Sequence, residues 1–455
     1  MNNQQDKTAF SYQEALAFLY KAIDYEKLIS YQYNASTFSL DRMEKLLAFI
    51  GNPHKGLPCI HIAGTKGKGS TAIMIATVME YAGLVTGLFT SPHLVDLRER
   101  IQINHQKIPE SEFACIMYEL QPYIRHLQET ALPASPTFFE ILTVIGMVYF
   151  KRKHTEMAVL EVGLGGRLDS TNVVIPQVSI ITNIGFDHTA ILGNTLSSIT
   201  YEKAGIIKHG IPVVSGIEGA EALPIVEKIC GEKNAPLCLL GRDMWVEEVK
   251  PCEKDGIRGM LCRIKTWRCT YDNLYLPLAG IHQAKNCALV LGALEILRER
   301  SDMVISDDII RKALAALHCP ARIEVVAEKP VIILDFAHTA DSTRFLKKTL
   351  VENFIYRKLI LVLGFSQDKD LDNILKEIVM EADAIMVTRS KNPRAATPED
   401  LYQRIERLCG KQPVIVTNVR EAVVAAKHMA SEDDLICITG SAYVAGEARE
   451  ALRIS

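Results

Sequence analysis

Residues Gly64, Thr65, Lys66, Gly67, Lys68, Gly69 and Ser70 put three glycines, two lysines and two hydroxyls into seven consecutive positions. Glycines let the backbone turn tightly and present its N–H groups to an anion, a lysine adds a full positive charge, and a hydroxyl can hold Mg²⁺. The chemistry this implies is a cradle for a nucleoside triphosphate, with Lys68 on the phosphates. The spacing departs from the strict G-x-x-x-x-G-K-[ST] loop, because Gly69 separates Lys68 from Ser70 and Ile62 stands where the first glycine would be. The competing reading is a glycine-rich turn in an α/β sheet.

A second set of residues has the chemistry that a phosphate-bound metal would use: Ser91, Glu161, His188 and Lys203. Mg²⁺ takes hard oxygen ligands, waters and substrate phosphates, which Ser91 and Glu161 can complement. Glu161 closes an apolar run, and a buried carboxylate is costly unless paired or metal-bound. Taken alone, His188 reads more readily as a core or loop histidine, and Lys203 as an ordinary surface lysine of a helix.

The elements that must position these groups follow from periodicity. The apolar run 58–63 predicts a strand before the glycine loop, and 73–79 predicts a helix after it. Residues 12–20 and 40–50 have helical spacing and are joined by an aromatic-rich link over 31–38. Further strands are expected at 85–90, 157–162, 178–184 and 211–214, and helices at 112–128 and 137–151. Pro136, Thr137 and Glu140 make a helix-start signal. Residues 240–280 read as a small antiparallel patch, 282–298 as a helix and 318–322 as a linker. Strands then recur at 331–335, 358–364, 384–388, 414–417 and 435–439, with helices between them. The expected architecture is α/β: an ATPase domain with a mainly parallel sheet over residues 1–319, and a smaller Rossmann-like α/β domain over 320–455.

Composition narrows the function class. The 455 residues are 48% hydrophobic and 23% charged with a net charge of −3, so no basic excess points to nucleic acid. Eleven cysteines without a C-x-x-C pair fit reduced thiols rather than a zinc site. The polar opening residues 1–7 lack a signal-peptide core, and no apolar run approaches a membrane span. A cytoplasmic enzyme is the expectation.

Read in order, the chain resembles the Mur ligase superfamily in its folylpolyglutamate synthase and dihydrofolate synthase branch. The resemblance rests on the Gly64–Ser70 loop, Thr90-Ser91-Pro92-His93-Leu94, Glu99-Arg100-Ile101, Thr137-Phe138-Phe139-Glu140, the run from Leu160 to Asn172, and Asp187-His188. It continues through Glu202-Lys203-Ala204-Gly205, His282-Gln283 with Asn286, Pro320-Ala321-Arg322-Ile323-Glu324, Ala337-His338 and Thr439-Gly440-Ser441. These segments run in family order from about residue 30 to 445.

The resemblance implies an ATP-dependent amide ligase. A folate or dihydropteroate carboxylate takes the γ-phosphate of ATP as an acyl phosphate, and the amine of L-glutamate then displaces phosphate. It gives the nucleotide to Gly64, Thr65, Lys66, Gly67, Lys68, Gly69, Ser70, Asn286, Arg322 and Asp335, and Mg²⁺ to Ser91, Glu161 and His188. Lys203 becomes the position of a carbamylated lysine, and Lys203, Lys68 and His338 are the expected catalytic residues. The folate-like substrate falls to Thr137, Phe139, Leu168, Asp169 and Ser170, with the Phe139 ring stacking on a pterin and the Asp169 carboxylate accepting its N–H groups. A monomer acting on small molecules is implied.

Two segments depart from the branch. Lys66 replaces the asparagine often found in the loop, and Asp335-Phe336-Ala337-His338-Thr339-Ala340-Asp341-Ser342 resembles the D-Y-A-H-T-P-D-S of the ligases that add the third residue of the cell-wall peptide. Residues 390–394 lean the same way, whereas the early position of the phosphate loop favours the folate branch. The alternatives are a superfamily ligase for another carboxylate and amine, and a nucleotide-binding module without ligase activity.

Overall fold

The computed structural model describes residues 10–28, 38, 40–130, 135–254, 257–300 and 303–454. Most of the expected 31–38 link and all of residues 1–7 lie outside the described residues.

The apolar runs of the first half form one sheet. In chain order its strands are β1 (Cys59–Ala63), β2 (Thr86–Phe89), β3 (Ile101–Ile103), β4 (Gln106–Lys107), β5 (Met157–Glu161), β6 (Val178–Ile181), β7 (Val213–Ser215) and β8 (Leu237–Leu239). Their spatial order is β4-β3-β2-β5-β1-β6-β7-β8. From β2 to β8 the neighbours are parallel, and β3 and β4 extend the β2 edge antiparallel. The central strands are buried along their whole length, as strands covered on both faces must be. That is why they read as continuous apolar runs rather than as alternation.

Helices cover both faces. Lys68–Tyr81 lays Ala72, Met74, Ile75, Val78 and Met79 against the sheet, and Ile281–Arg300 is buried from Gln283 to Leu297. Phe138–Arg152 begins where the sequence signal put it. Thr137 Oγ1 accepts the Glu140 N–H at 3.2 Å, and Glu140 Oε2 accepts the Thr137 N–H at 2.7 Å. Glu140 also takes a bidentate contact from the buried Arg42, whose Nη2 lies 2.6 Å from Oε1. The antiparallel patch is a three-stranded sheet of β9 (Trp245–Lys254), β10 (Ile257–Lys265) and β11 (Thr270–Leu276).

The second half builds its own sheet from β12 (Glu324–Glu328), β13 (Val331–Leu334), β14 (Leu359–Leu363), β15 (Ala384–Val387), β16 (Val414–Ile415) and β17 (Leu435–Thr439). Its order is β12-β13-β17-β14-β15-β16, parallel except for β12. Its buried cores draw on residues from Ile323 onward, whereas those around the first sheet end at Cys319. Sequence reading did not anticipate β12 or the β3–β4 hairpin. Among the described residues, no helix is long and apolar enough to cross a membrane.

Candidate active site

The carboxyl ends of β1, β5 and β6 open into one cavity of about 670 Å³, walled on its other side by Arg322, Ile323 and residues drawn from 335–346, 366–369 and 441–443. Crevices of this kind lie beyond the carboxyl ends of parallel strands. Every site residue expected from the sequence lines this cavity except Gly64, whose carbonyl accepts from two residues that do, Lys68 and Lys203.

The glycine loop turns where no other residue fits. Gly64 has φ +146°, and a Cβ there would collide with Thr182 Oγ1; Gly67 has φ +82°, and a Cβ would run into Asn286 Oδ1. The loop backbone is pinned by Thr65 N–H to Asn183 O (2.9 Å), Lys66 N–H to Asn183 Oδ1 (2.8 Å) and Thr182 Oγ1 to Lys66 O (2.6 Å). At the start of the following helix, Ser70 Oγ is buried without a hydrogen-bond partner. An orphaned hydroxyl at a helix N-terminus, beside Lys68, is what an anion and its counter-ion would satisfy.

Lys68 Nζ donates to Gly64 O at 3.2 Å, and Lys203 Nζ donates to the same carbonyl at 2.8 Å. Burial first, and the Lys68 charge second, push the Lys203 pKa down from 10.5 to about 7. Glu161 ends β5, is 3% exposed and accepts the Ser91 N–H at 3.1 Å. Burial raises its pKa, with Lys68 opposing. His188 opens the short helix Thr189–Leu192 at φ +53° and lies open to the cavity. Its pKa is pushed down to about 3 by enclosure in the cleft, which leaves a neutral imidazole lone pair. The Glu161 carboxylate and the Ser91 hydroxyl are hard oxygen donors of the kind Mg²⁺ takes, and His188 adds a neutral nitrogen, a less usual ligand for it, on the same cavity. Among the described residues, no cluster of three or more His, Cys, Asp or Glu is arranged to hold a metal ion. Ser91 and substrate oxygens would therefore have to complete such a site.

Across the cavity, Arg322 is enclosed with its guanidinium over the Phe336 ring, 3.5 Å from the centroid. The residues on both sides of it, Ala321 and Ile323, have φ +53°. Asp335 is committed to this linker: Oδ2 accepts the Ile323 N–H at 3.1 Å and Oδ1 the Ala337 N–H at 2.6 Å. Burial raises its pKa. Asn286 Nδ2 donates to Gln283 Oε1 at 3.1 Å beside Gly67.

On the expected folate side, the Phe139 ring packs over Gly163 and 5.7 Å from the Phe89 ring. Leu168 lines this part of the cavity, and Ser170 Oγ pairs with Thr143 Oγ1 at 2.8 Å. Asp169 lines the same part of the cavity. Its oxygens accept from Leu164 N–H (2.9 Å), Thr171 N–H (3.0 Å) and Thr171 Oγ1 (2.5 Å), so the carboxylate braces its own loop.

The sequence reading gave no role to Asp187, Lys369, Arg394, Tyr443 or Glu26, all of which line the cavity. Asp187 belongs to the Asp187-His188 segment of the resemblance, and Arg394 to the 390–394 segment that resembles another ligase class.

Two domain models match the chain: the Mur ligase middle domain over residues 62–294 and the Mur ligase glutamate ligase domain over 321–442. The dihydrofolate synthase/folylpolyglutamate synthase of Bacillus subtilis (strain 168) is 35% identical over 418 residues, spanning 91% of this chain and 95% of that protein. The chain belongs to the Mur ligases, in their folylpolyglutamate and dihydrofolate synthase branch. The folylpolyglutamate synthase of Lacticaseibacillus casei is 31% identical over 94% of this chain and 99% of its own. Among solved structures of the branch, Mycobacterium tuberculosis folylpolyglutamate synthase complexed with ADP and AMPPCP superposes with a TM-score of 0.85 at 30% identity. That match covers 90% of this chain and 95% of the other. A folylpolyglutamate synthase complex with AMPPCP and folate gives a TM-score of 0.83 at 29% identity, covering 97% and 99%.

Proposed function

We propose that this chain is an ATP-dependent ligase that joins L-glutamate to a folate, and also to dihydropteroate, through an acyl phosphate. The observation that carries this reading is the single cavity. It brings an orphaned Ser70 hydroxyl, Lys68, Glu161, His188 and Lys203 into reach of Arg322 and His338, with Thr137 and Phe139 at the far wall. Relatives over nearly the whole chain length carry the same two activities in their names, and a relative's structure holds AMPPCP and folate.

In this reading residues 1–319 hold the nucleotide and residues 320–455 bring the amino acid. The glycine loop and Lys68 take the triphosphate, and Asn286 and Arg322 hold the nucleotide from its other side. Asp335 acts by fixing the linker that aims Arg322. Ser91, Glu161 and His188 would hold Mg²⁺, which would supply neutralisation of phosphate charge. The neutral Lys203 amine favoured by burial would add to the carbon of CO₂ and release one N–H proton to solvent, and the resulting carbamate anion would put an oxygen donor where a cation would repel the metal. Phe139 and Thr137 orient the pterin, with Asp169 shaping the loop that carries Leu168 and Ser170. His338, which lines the cavity from the second lobe, is assigned in this reading to the attacking amine. A cytoplasmic monomer fits these small-molecule substrates.

ADP release measured with tetrahydrofolate or dihydropteroate tests the proposal. It must depend on both the folate and L-glutamate. ATP turnover that no folate–glutamate pair stimulates would refute it. Stimulation by a different amine would move the chain toward the ligases that its Asp335–Ser342 segment resembles.

A further inference from the structure

Lys66 belongs to the phosphate loop, but its ammonium leaves that loop. Its backbone is anchored on both sides, by Asn183 Oδ1 and Thr182 Oγ1. Its Nζ reaches toward the second lobe and donates to Asp187 Oδ2 and to His338 Nε2, each at 2.8 Å. The other Asp187 oxygen, Oδ1, accepts from Lys369 Nζ at 2.9 Å. Two residues from each lobe therefore share one charge cluster at the cavity wall.

The protonation pattern follows from donor counting. An ammonium only donates, so His338 Nε2 must accept. His338 Nδ1 lies 2.9 Å from Phe336 O, a carbonyl that only accepts, so the ring proton sits on Nδ1. One tautomer of neutral His338 satisfies both contacts. Asp187 pairs with both Lys66 and Lys369 and offsets part of their mutual repulsion across the lobe boundary.

We propose that Lys66 is a positioning residue for His338, holding its imidazole in the Nδ1–H tautomer and tying it to the phosphate loop of the opposite lobe. The inference rests on the ligase reading above for its functional consequence. His338 meets the incoming amine in register with the acyl phosphate only when the second lobe is seated on the loop. Lys66 thus acts on the amine half of the reaction, although its sequence position groups it with the nucleotide.

The test uses the full chain with Lys66→Met, Lys66→Arg, His338→Ala and the Lys66→Met/His338→Ala double variant. Affinity for a non-hydrolysable ATP analogue is titrated, glutamate KM and kcat are measured, and the His338 ring nitrogens are read by ¹⁵N NMR on histidine-labelled protein. Lys66→Met is expected to keep analogue affinity within about threefold while costing about tenfold or more in kcat/KM for glutamate. Lys66→Arg is expected to recover part of that loss. In the His338→Ala background Lys66→Met should add less than about twofold, because coupled residues are not additive. The His338 signals should move from a pure Nδ1–H tautomer to a mixture in Lys66→Met. An analogue affinity that falls about tenfold with glutamate KM unchanged would overturn the proposal, as would fully multiplicative effects. If the parent chain joins no folate to glutamate, the ligase reading fails by itself. The NMR arm then still decides the Lys66–His338 contact, and an unchanged tautomer in Lys66→Met would sink it.

Discussion

Replacing Lys203 with methionine should make the protein more stable at neutral pH and less stable in alkali. Lys203 is 5% exposed, and its pKa falls from 10.5 to about 7, mainly through burial and secondarily through Lys68. In the unfolded chain the amine keeps its proton up to the ordinary lysine value. Between pH 7 and 10.5 the unfolded state therefore binds more protons than the folded one, and stability rises with pH. Below pH 7 the folded state bears the full cost of the buried cation, and at pH 7 that cost is about 4 kcal/mol. Methionine removes the cost but leaves the Gly64 carbonyl without the 2.8 Å bond, worth about 1–3 kcal/mol. The net expectation is about 1–3 kcal/mol of added stability at pH 7 and a loss of about 1–2 kcal/mol near pH 10. Urea unfolding of parent and variant at both pH values, in bicarbonate-free buffer so that the amine stays unmodified, measures the crossing. A variant destabilised equally at both pH values would show that the buried amine carries no desolvation penalty. Ligase turnover should be lost in the same variant whichever way its stability moves.

Four further outcomes follow from the geometry. Gly64→Ala meets both a φ of +146° and the Thr182 hydroxyl, and should cost about 3 kcal/mol or more in urea unfolding. Glu140→Gln breaks the buried pair with Arg42 and weakens the helix start at Thr137, and should destabilise by about 3–5 kcal/mol. His61 is fully buried beside Thr171 Oγ1, and burial pushes its pKa down to about 3. The unfolded chain thus binds the extra proton first as pH falls below 6.5, and stability drops toward pH 3. His61→Gln should remove up to about 3 kcal/mol of the loss seen between pH 6.5 and 4. Chelation with EDTA should abolish glutamate-dependent ADP release, and added Mg²⁺ should restore it while the far-ultraviolet circular dichroism stays constant.

Local signals carried much of the fold. The strand before Gly64, the helix after it and the Thr137–Glu140 helix start were legible because each is written within a dozen residues. The β3–β4 hairpin was not, since residues 101–107 are too short for periodicity and turn at Asn104 and His105, both with positive φ. The site divided along the same line. Lys68 stands out by its place in a glycine-rich loop and Glu161 as a carboxylate closing an apolar run, whereas His188 gains its meaning only from the resemblance. Asp187 does not stand out, because its meaning depends on Lys369, 182 residues further along the chain. Asp169 and Asp335 show a different limit. Their residue type points to ligand contacts and both line the cavity, yet their oxygens also accept from backbone N–H groups, those of Leu164 and Thr171 for Asp169 and those of Ile323 and Ala337 for Asp335. No sequence pattern separates a carboxylate that receives a ligand from one that braces a loop.

Three adjacent parallel strands end on the chemistry: β1 runs into the loop of Lys68, β5 closes on Glu161, and β6 leads to Asp187 and His188. Ile62 sits opposite Glu161 and Ala63 opposite Ile181 in the ladder. A slip of one residue in either pairing would displace a group by about 3.3 Å, more than the length of a hydrogen bond. Strand alignment is therefore the ruler that spaces the reactive groups, and the loops can drift in sequence as long as that ruler is kept.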